Sequence, residues 1–424
     1  MKKIIFLFAL GYFLIAFNCY SQWVLSYTDT SFYFMDVQFT SANTGWVAGY
    51  KVPPSSQSEG RLLKTTNAGV NWNLLNIGTI PGLWDVCFLN DDTGWIIGDK
   101  GTVRKTTNGG LNWMQQITDS SDHNKAFFLN PDTGWVTGNH TFATTNGGNN
   151  WLQMSNTISG SYAVNFINVN TGFITCYYSA INKTTNGGVS WQRVYEGASH
   201  TYIYETTFIN DLTGWGVGEN NGVIKTTNGG NNWNIISYQS NLDSRTVYFK
   251  DINTGWLGGY GVMFKTTNSG VNWVVQSLPP TFPGHIWGIA KSNDSTLWAT
   301  GGKGYIYKTT NGGVGINQIS TEVPGEYKLL QNYPNPFNAS TKIRFAIQKP
   351  ESRSQNPEVT LKIFDALGRE VETLVNEQLA PGRYSVDWNA SELPSGIYFY
   401  RLQVGNGGFS TRDFRETKRM LLIK

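Results

Sequence analysis

The sequence predicts an all-β protein: a seven-bladed β-propeller followed by a C-terminal Ig-like β-sandwich. Three observations predict it. A polar turn, TTN, returns seven times, its Asn at 67, 108, 146, 186, 228, 268 and 311, at gaps of 41, 38, 40, 42, 40 and 43 residues. A period near forty with strand-like content is that of a four-stranded propeller blade. Composition agrees: 14 % charged, 14 % aromatic and 47 glycines in 424 residues favour a turn-rich β protein over disorder or coiled coil. After Ser320 the repeat stops, and short alternating runs between Gly and Pro turns take over.

The N-terminus reads as a signal peptide, residues 1–21. Lys2 and Lys3 precede an apolar run, Ile4–Phe17, that is too short to span a bilayer, and Cys19 and Ser21 stand at −3 and −1 of a cut after Ser21. No later segment is apolar enough for a transmembrane helix. Without Lys2 and Lys3 the chain has 30 basic and 29 acidic residues, so no basic excess points to nucleic acid. Cys87 and Cys176 fall in repeats that are not neighbours. They are expected as buried small apolar residues and not as a disulfide.

Residues 22–320 carry the propeller. In each repeat a short apolar strand, such as Asp36–Phe39 or Asp85–Phe88, leads to a T-G-W turn, as at Thr44–Trp46 and Thr93–Trp95. Repeat four has Phe173 for the Trp, and repeat seven reads Ser295-Thr296-Leu297-Trp298. A second strand follows, and a third ends in the TTN turn. Asn and Gly suit that turn because both accept left-handed backbone at low cost. A Trp then opens the fourth strand (Trp72, Trp113, Trp151, Trp191, Trp233, Trp273) and is expected to fold over the Thr side chains. Repeat seven has Ile316 in that place. Trp23–Tyr27 is expected to close the ring as its outer strand, with Gly315–Ile319 as the alternative.

The stretch T-T-N-x-G-x-N-W resembles the Asp-box of bacterial neuraminidase repeats. With the T-G-W turn, residues 23–320 resemble still more the propellers of photosystem II stability and assembly factors. That resemblance implies the fold and leaves the activity open.

Thr321–Glu326 reads as a linker, and residues 327–424 as the sandwich. Gln331–Asn338 (QNYPNPFN) resembles the opening motif of type A C-terminal sorting domains of the type IX secretion system. FDALGREVETLV, LPSGIYFYRL and the final KRMLLIK match later motifs of that family in order. The resemblance implies that Tyr333, Pro334, Asn335, Pro336, Phe337, Gly368, Gly396, Lys418 and Lys424 belong to the sorting motif. It also implies the secretion machinery as partner, export through the periplasm, and release or anchoring at the outer surface. Residues 326–424 hold 14 basic and 11 acidic residues, a mild positive balance that suits docking.

The turns after strands one and three share one face of a blade, so TTN and T-G-W lie together and a ligand site is expected on the opposite face. Aligned on T-G-W, the first strands bring Met35, Trp84, Asn124, Tyr162, Tyr204, Arg245 and Trp287 to the channel mouth. Trp84, Tyr162, Tyr204, Arg245 and Trp287 are the candidate ligand residues, since aromatics stack on sugar rings or peptide side chains. The insertion Lys51–Arg61 and the segment Leu278–His285 are expected to overhang that face. Asp36, Asp85 and Glu205 form the next column and are the candidate acids for glycoside hydrolysis, which needs two carboxyls roughly 5–9.5 Å apart. No sialidase arginine triad, Ser-His-Asp set or phosphate loop is visible. The four histidines have no zinc-like spacing, so no cofactor or metal is expected. These features favour an exported, non-enzymatic propeller that binds a protein or polysaccharide. A secreted glycoside hydrolase and an assembly factor for a membrane complex are the alternatives.

Overall fold

A computed structural model describes residues 19–20, 23–51, 59–116, 118–154, 160–177, 180–197, 202–219, 222–237, 243–276, 278, 284–293, 295–312, 316–320, 322–349, 356–390, 393–405 and 414–424. Its regular elements are all strands. They form two compact units, one of Ser21–Gly313 and one of Val314–Lys424 that also takes in Cys19–Tyr20.

The first unit is a propeller. Its described residues form seven four-stranded antiparallel sheets. Blade one runs Phe32–Phe39, Gly45–Lys51, Glu59–Thr65, Asn73–Leu74. Blades two to six open with Leu83–Phe88, His123–Phe128, Ser161–Phe166, Tyr202–Phe208 and Thr246–Phe249. Blade seven holds Ile286–Lys291, Leu297–Gly301 and Tyr305–Thr309, and its outer strand is Val24–Thr28. First strands of successive blades pack together in a cycle, with blade seven against blade one. The ring therefore closes through the N-terminal strand: Val24 pairs with Lys308 and Thr28 with Tyr305, and Trp23 is fully buried.

An aromatic joint welds each blade to the next, except where blade six meets blade seven, whose first strand ends in Lys291. The T-G-W Trp stacks on the Phe that ends the next blade's first strand: Trp46 on Phe88 at 3.8 Å, Trp95 on Phe128 at 3.5 Å, Trp215 on Phe249 at 3.6 Å. The outer-strand Trp of that next blade meets the same Phe edge-on, as Trp113 does Phe88 at 6.2 Å. This Phe is thus the main ring partner of a residue expected over the threonines alone. Offset-stacked and edge-to-face pairs each add about 0.5–1.5 kcal/mol beyond their buried area. The joint also explains the Gly of T-G-W, because a Cβ on Gly94 would stand 2.4 Å from the Phe88 ring. Blade seven confirms the logic. Lys291 occupies the Phe position opposite Leu297, and with no ring to clear, Gly is not needed there.

The TTN turn ties its own ends and reaches the next blade. Thr106 Oγ1 donates to Asn108 Oδ1 at 3.0 Å and accepts from the Gly110 N–H at 3.0 Å, while Asn108 Oδ1 accepts from the Asn112 N–H at 2.9 Å. Gly109 and Gly110 both have positive φ, at 66° and 89°. Ala68 and Ser269 take the first of these positions in two repeats, which a short side chain tolerates. The preceding Lys donates to a carbonyl in the neighbouring turn: Lys64 to Gly109 at 2.8 Å, Lys105 to Gly147 at 2.9 Å, and Lys308 to Ala68 at 3.0 Å across the closure. The same ammonium lies over its own blade's T-G-W ring, 5.1 Å from the centroid for Lys105 and Trp95. Cys87 and Cys176 are free thiols, and burial pushes the Cys87 thiol up to about 12.

The second unit is a two-layer sandwich. One sheet runs in the order Cys19–Tyr20, Ile316–Ser320, Gly382–Asn389, Ser340–Ile347, Lys328–Leu329, and the other in the order Glu370–Gln378, Glu358–Phe364, Gly396–Gly405, Phe414–Leu422. Alternate residues point inward, and Phe345, Tyr384, Trp388, Leu361, Tyr400 and Leu402 fill the core between the sheets. Ile316–Ser320, placed in the propeller by the repeat pattern, belongs instead to this sandwich, paired with Gly382–Asn389. The unit thus begins before the expected linker at 321–326. Of the signal-peptide residues, only Cys19–Tyr20 lies among those described.

Candidate functional site

The column of candidate acids lines the propeller axis. Asp36, Asp85 and Glu205 converge on Lys125 of blade three. Its ammonium is 2.9 Å from Asp85 Oδ1, 3.5 Å from Asp36 Oδ1 and 3.9 Å from Glu205 Oε1. The second carboxylate oxygens accept backbone N–H groups from the next blade: Val86 to Asp36 at 3.3 Å, Ala126 to Asp85 at 2.8 Å, and Val247 to Glu205 at 2.9 Å. Each acid therefore bridges two first strands and faces one shared cation. Burial raises Asp36 well above the usual carboxyl range, Lys125 opposes the rise, and the neighbouring Asp85 adds to it. Burial raises Glu205 as well. Burial alone would lower Lys125, but the three carboxylates outweigh it and hold the ammonium charged. Asp36 and Asp85 thus share one ammonium, which engages both carboxyls that glycoside hydrolysis would need free. Lys125 was not read from the sequence, although the T-G-W alignment puts it in the same column as the acids.

The mouth residues fall into two groups. Tyr162, Tyr204, Arg245 and Trp287 form one continuous series over blades four to seven. Tyr162 meets Tyr204 at 4.8 Å, and the Arg245 guanidinium lies 3.9 Å from the Tyr204 ring and 5.1 Å from the Trp287 ring. Residues missed by the sequence reading extend it. Tyr177 sits 4.9 Å from Tyr162, and Tyr202 stacks on Tyr204 at 5.9 Å. His285 meets Trp287 at 5.5 Å and Tyr260 at 5.0 Å. Asp243 pairs with Arg245 Nε at 3.3 Å and lies 3.5 Å from His285 Nε2, and the Tyr204 hydroxyl donates to Glu219 at 2.9 Å. Burial and the nearby Arg245 lower His285, which keeps its ring neutral. Burial raises the Tyr162 and Tyr204 phenols, so both remain protonated.

Trp84 stands in the other group, donating to Asp99 at 2.5 Å and tilted against Tyr50, which stacks on Tyr33. Met35 is buried, and Asn124 donates to the Ser161 carbonyl, so these two members of the column are packing residues. Tyr177 and Tyr260 follow a second strand, His285 precedes a first one, and Tyr202 opens one. Those positions were the signal that could have found them. Residues 52–58 and 279–283 of the expected overhanging segments lie outside the described residues.

In the sandwich, the first and last sorting motifs are clasped together. Phe337 and Ile423 exchange backbone hydrogen bonds with the opposite strand: Phe337 donates to Leu421 at 3.0 Å and Ile423 donates to Phe337 at 2.9 Å. Asn335 Oδ1 accepts from the Leu421 N–H at 2.9 Å, and Gln331 Nε2 donates to the Arg419 carbonyl at 2.9 Å. Buried Asn332 donates to Pro334 and Thr341, and its N–H donates to the Tyr400 hydroxyl, a phenol that burial raises to about 12. Phe337 is buried against Trp388, while Tyr333, Pro334, Asn335 and Pro336 are exposed. Gly368 takes φ 79° in the turn that Asp365 caps. Gly396 pairs with Leu422, Lys418 pairs with Glu416 at 3.0 Å, and the Lys424 N–H donates to Ser395.

A family model described as photosynthesis system II assembly factor YCF48 matches residues 64–201 and 196–335. A second, described as a secretion system C-terminal sorting domain, matches residues 331–413. No curated protein matches the sequence. Among solved structures, YCF48 bound to D1 peptide is similar at TM-score 0.58 and 18 % identity, over 69 % of this chain and 97 % of that one. YCF48 from Cyanidioschyzon merolae is similar at TM-score 0.54 and 17 % identity, over 68 % and 98 %. PorZ, an essential bacterial surface component of the type IX secretion system of Porphyromonas gingivalis, is similar at TM-score 0.54 and 13 % identity. That match covers 92 % of this chain and 59 % of PorZ. At such identities the likeness is one of fold.

Proposed function

The chain belongs to the family of the photosynthesis system II assembly factor YCF48 and ends in a type IX sorting domain that directs it to the cell surface or beyond; from that premise we propose that it is a non-enzymatic binding protein. Its propeller recognises a protein or polysaccharide of the cell exterior through the channel mouth. The observation that carries this reading is the series Tyr162, Tyr204, Arg245 and Trp287, in which half-buried rings and one cation share a face free of the repeated turns. The axial acids support binding over hydrolysis, because a lysine and backbone N–H groups already engage them. The signal peptide delivers the chain to the periplasm, and the clasped sorting motifs then present it to the secretion machinery.

The test is retention of surface proteins and polysaccharides on the immobilised mature chain, repeated with Tyr204→Ala and Trp287→Ala. Binding that survives both changes removes the mouth from the reading, and glycan cleavage lost in Asp85→Asn would restore the hydrolase. An assembly role is the second reading, favoured by family membership. Co-purification with one defined membrane complex would establish it.

A further inference from the structure

We propose that the arc from Tyr177 to Tyr260, over blades four to seven, binds a neutral, hydroxyl-rich polysaccharide. The inference rests on the mouth as the binding face and names the ligand that face suits. Three features of the arc select this chemistry.

The first is the aromatic platform. Tyr177, Tyr162, Tyr204, Trp287 and Tyr260 follow one another in contact, with Arg245 and His285 filling the steps between. Both ends are open: Tyr177 is 40 % and Tyr260 58 % exposed. Rings accessible in this way can take the C–H faces of sugars, as large rigid surfaces that lose little freedom on binding.

The second is charge. Arg245 is paired with Asp243 and stacked between two rings, and His285 is held neutral. The arc therefore offers no uncompensated positive charge to a carboxylate, sulfate or phosphate. Glu219 and Asp243 leave its balance slightly negative, which disfavours an acidic glycan or a peptide C-terminus.

The third is hydrogen-bond supply. Glu219 accepts one bond from Tyr204, while Asp243 is taken up by Arg245 and His285. A carboxylate has about four acceptor positions, so Glu219 retains capacity for sugar hydroxyls, which donate. The Tyr177 and Tyr260 hydroxyls can donate or accept at the ends of the platform.

Dextran, a soluble β-glucan, a mannan and a xylan are titrated into the full mature chain, with polygalacturonate and an oligolysine peptide beside them. At least one neutral polymer binds, and its affinity is unchanged between low and high salt, as for a ligand without charge. Tyr177→Ala and Tyr260→Ala each weaken it by roughly tenfold with the melting temperature unchanged. Leu111→Ala, a change at an exposed turn-face residue, leaves it unaltered. Absence of binding to all four neutral polymers overturns the proposal. Capture of oligolysine, or of a protein, that is lost in the tyrosine variants overturns it too, yet leaves the mouth as a binding face. Glycan binding that both variants retain overturns the arc and the mouth together.

Discussion

The two faces of the propeller were built by opposite rules. On the turn face every blade repeats nearly the same residues, and each is accounted for by a contact within the joint: Gly clears Phe, Trp stacks on the next Phe, Thr ties Asn, Lys reaches the next turn. On the mouth face the equivalent position changes from blade to blade, from Met35 to Asn124 to Trp287. Repetition marks what the ring needs in order to close. Variation marks where a partner can be recognised, since a ligand without sevenfold symmetry gains nothing from seven identical contacts.

The comparison breaks first at the joints. Trp95→Ala removes a fully buried ring stacked on Phe128 and should cost about 3–5 kcal/mol in urea unfolding. A loss below 1 kcal/mol would mean that the joints are not what holds the blades.

Lys125→Met should cost a few kcal/mol, because three carboxylates lose their shared cation. Of the acids left behind, Asp36 and Glu205 have folded-state values above their unfolded ones. Stability should therefore be recovered as pH falls toward the unfolded carboxyl range, and lost as pH rises through the raised folded values. A deficit that stays constant from pH 4 to 8 would contradict the buried charge cluster.

Gly94→Ala should cost about 1–3 kcal/mol by forcing Phe88 aside, whereas Leu297→Ala should show no such clash because Lys291 replaces the Phe. Equal melting temperatures for Gly94→Ala and the parent would refute the close approach.

A smaller effect sharpens the mouth side. His123 is buried beside Thr118, Asp119, Asp122 and His140, and burial lowers it below the usual histidine value of 6.5 despite the two acids. The unfolded chain thus takes up this proton first as pH falls. His123→Gln should melt with less dependence on pH below about 6.5 than the parent. Smallest of all, Tyr177→Ala should change stability by no more than about 0.5 kcal/mol, as an exposed residue outside the joints.

The period and its turns were legible because TTN and T-G-W are local: their hydrogen bonds span two to four residues. The closing role of Trp23 was legible for the same reason, as a fourth-strand opening stranded at the wrong end of the chain. What escaped reading depends on partners in other blades or far along the chain. Phe88 looks like any strand residue until Trp46 and Trp113 are found on either side of it. Lys125 was hidden because the acids it neutralises belong to three other blades. Ile316–Ser320 was misplaced because an apolar strand following a TTN turn reads as blade, and only its pairing with Gly382–Asn389 assigns it elsewhere.

The clasp in the sandwich has a consequence for synthesis. Asn335 is held by Leu421, 86 residues further along the chain, and Phe337 by Leu421 and Ile423. The address is thus written near the start of its domain but cannot take shape until its partner strand has been made. A polypeptide truncated before Leu421 would carry every letter of QNYPNPFN and still lack the clasp, so the arrangement ties display of the address to synthesis of the strand that holds it.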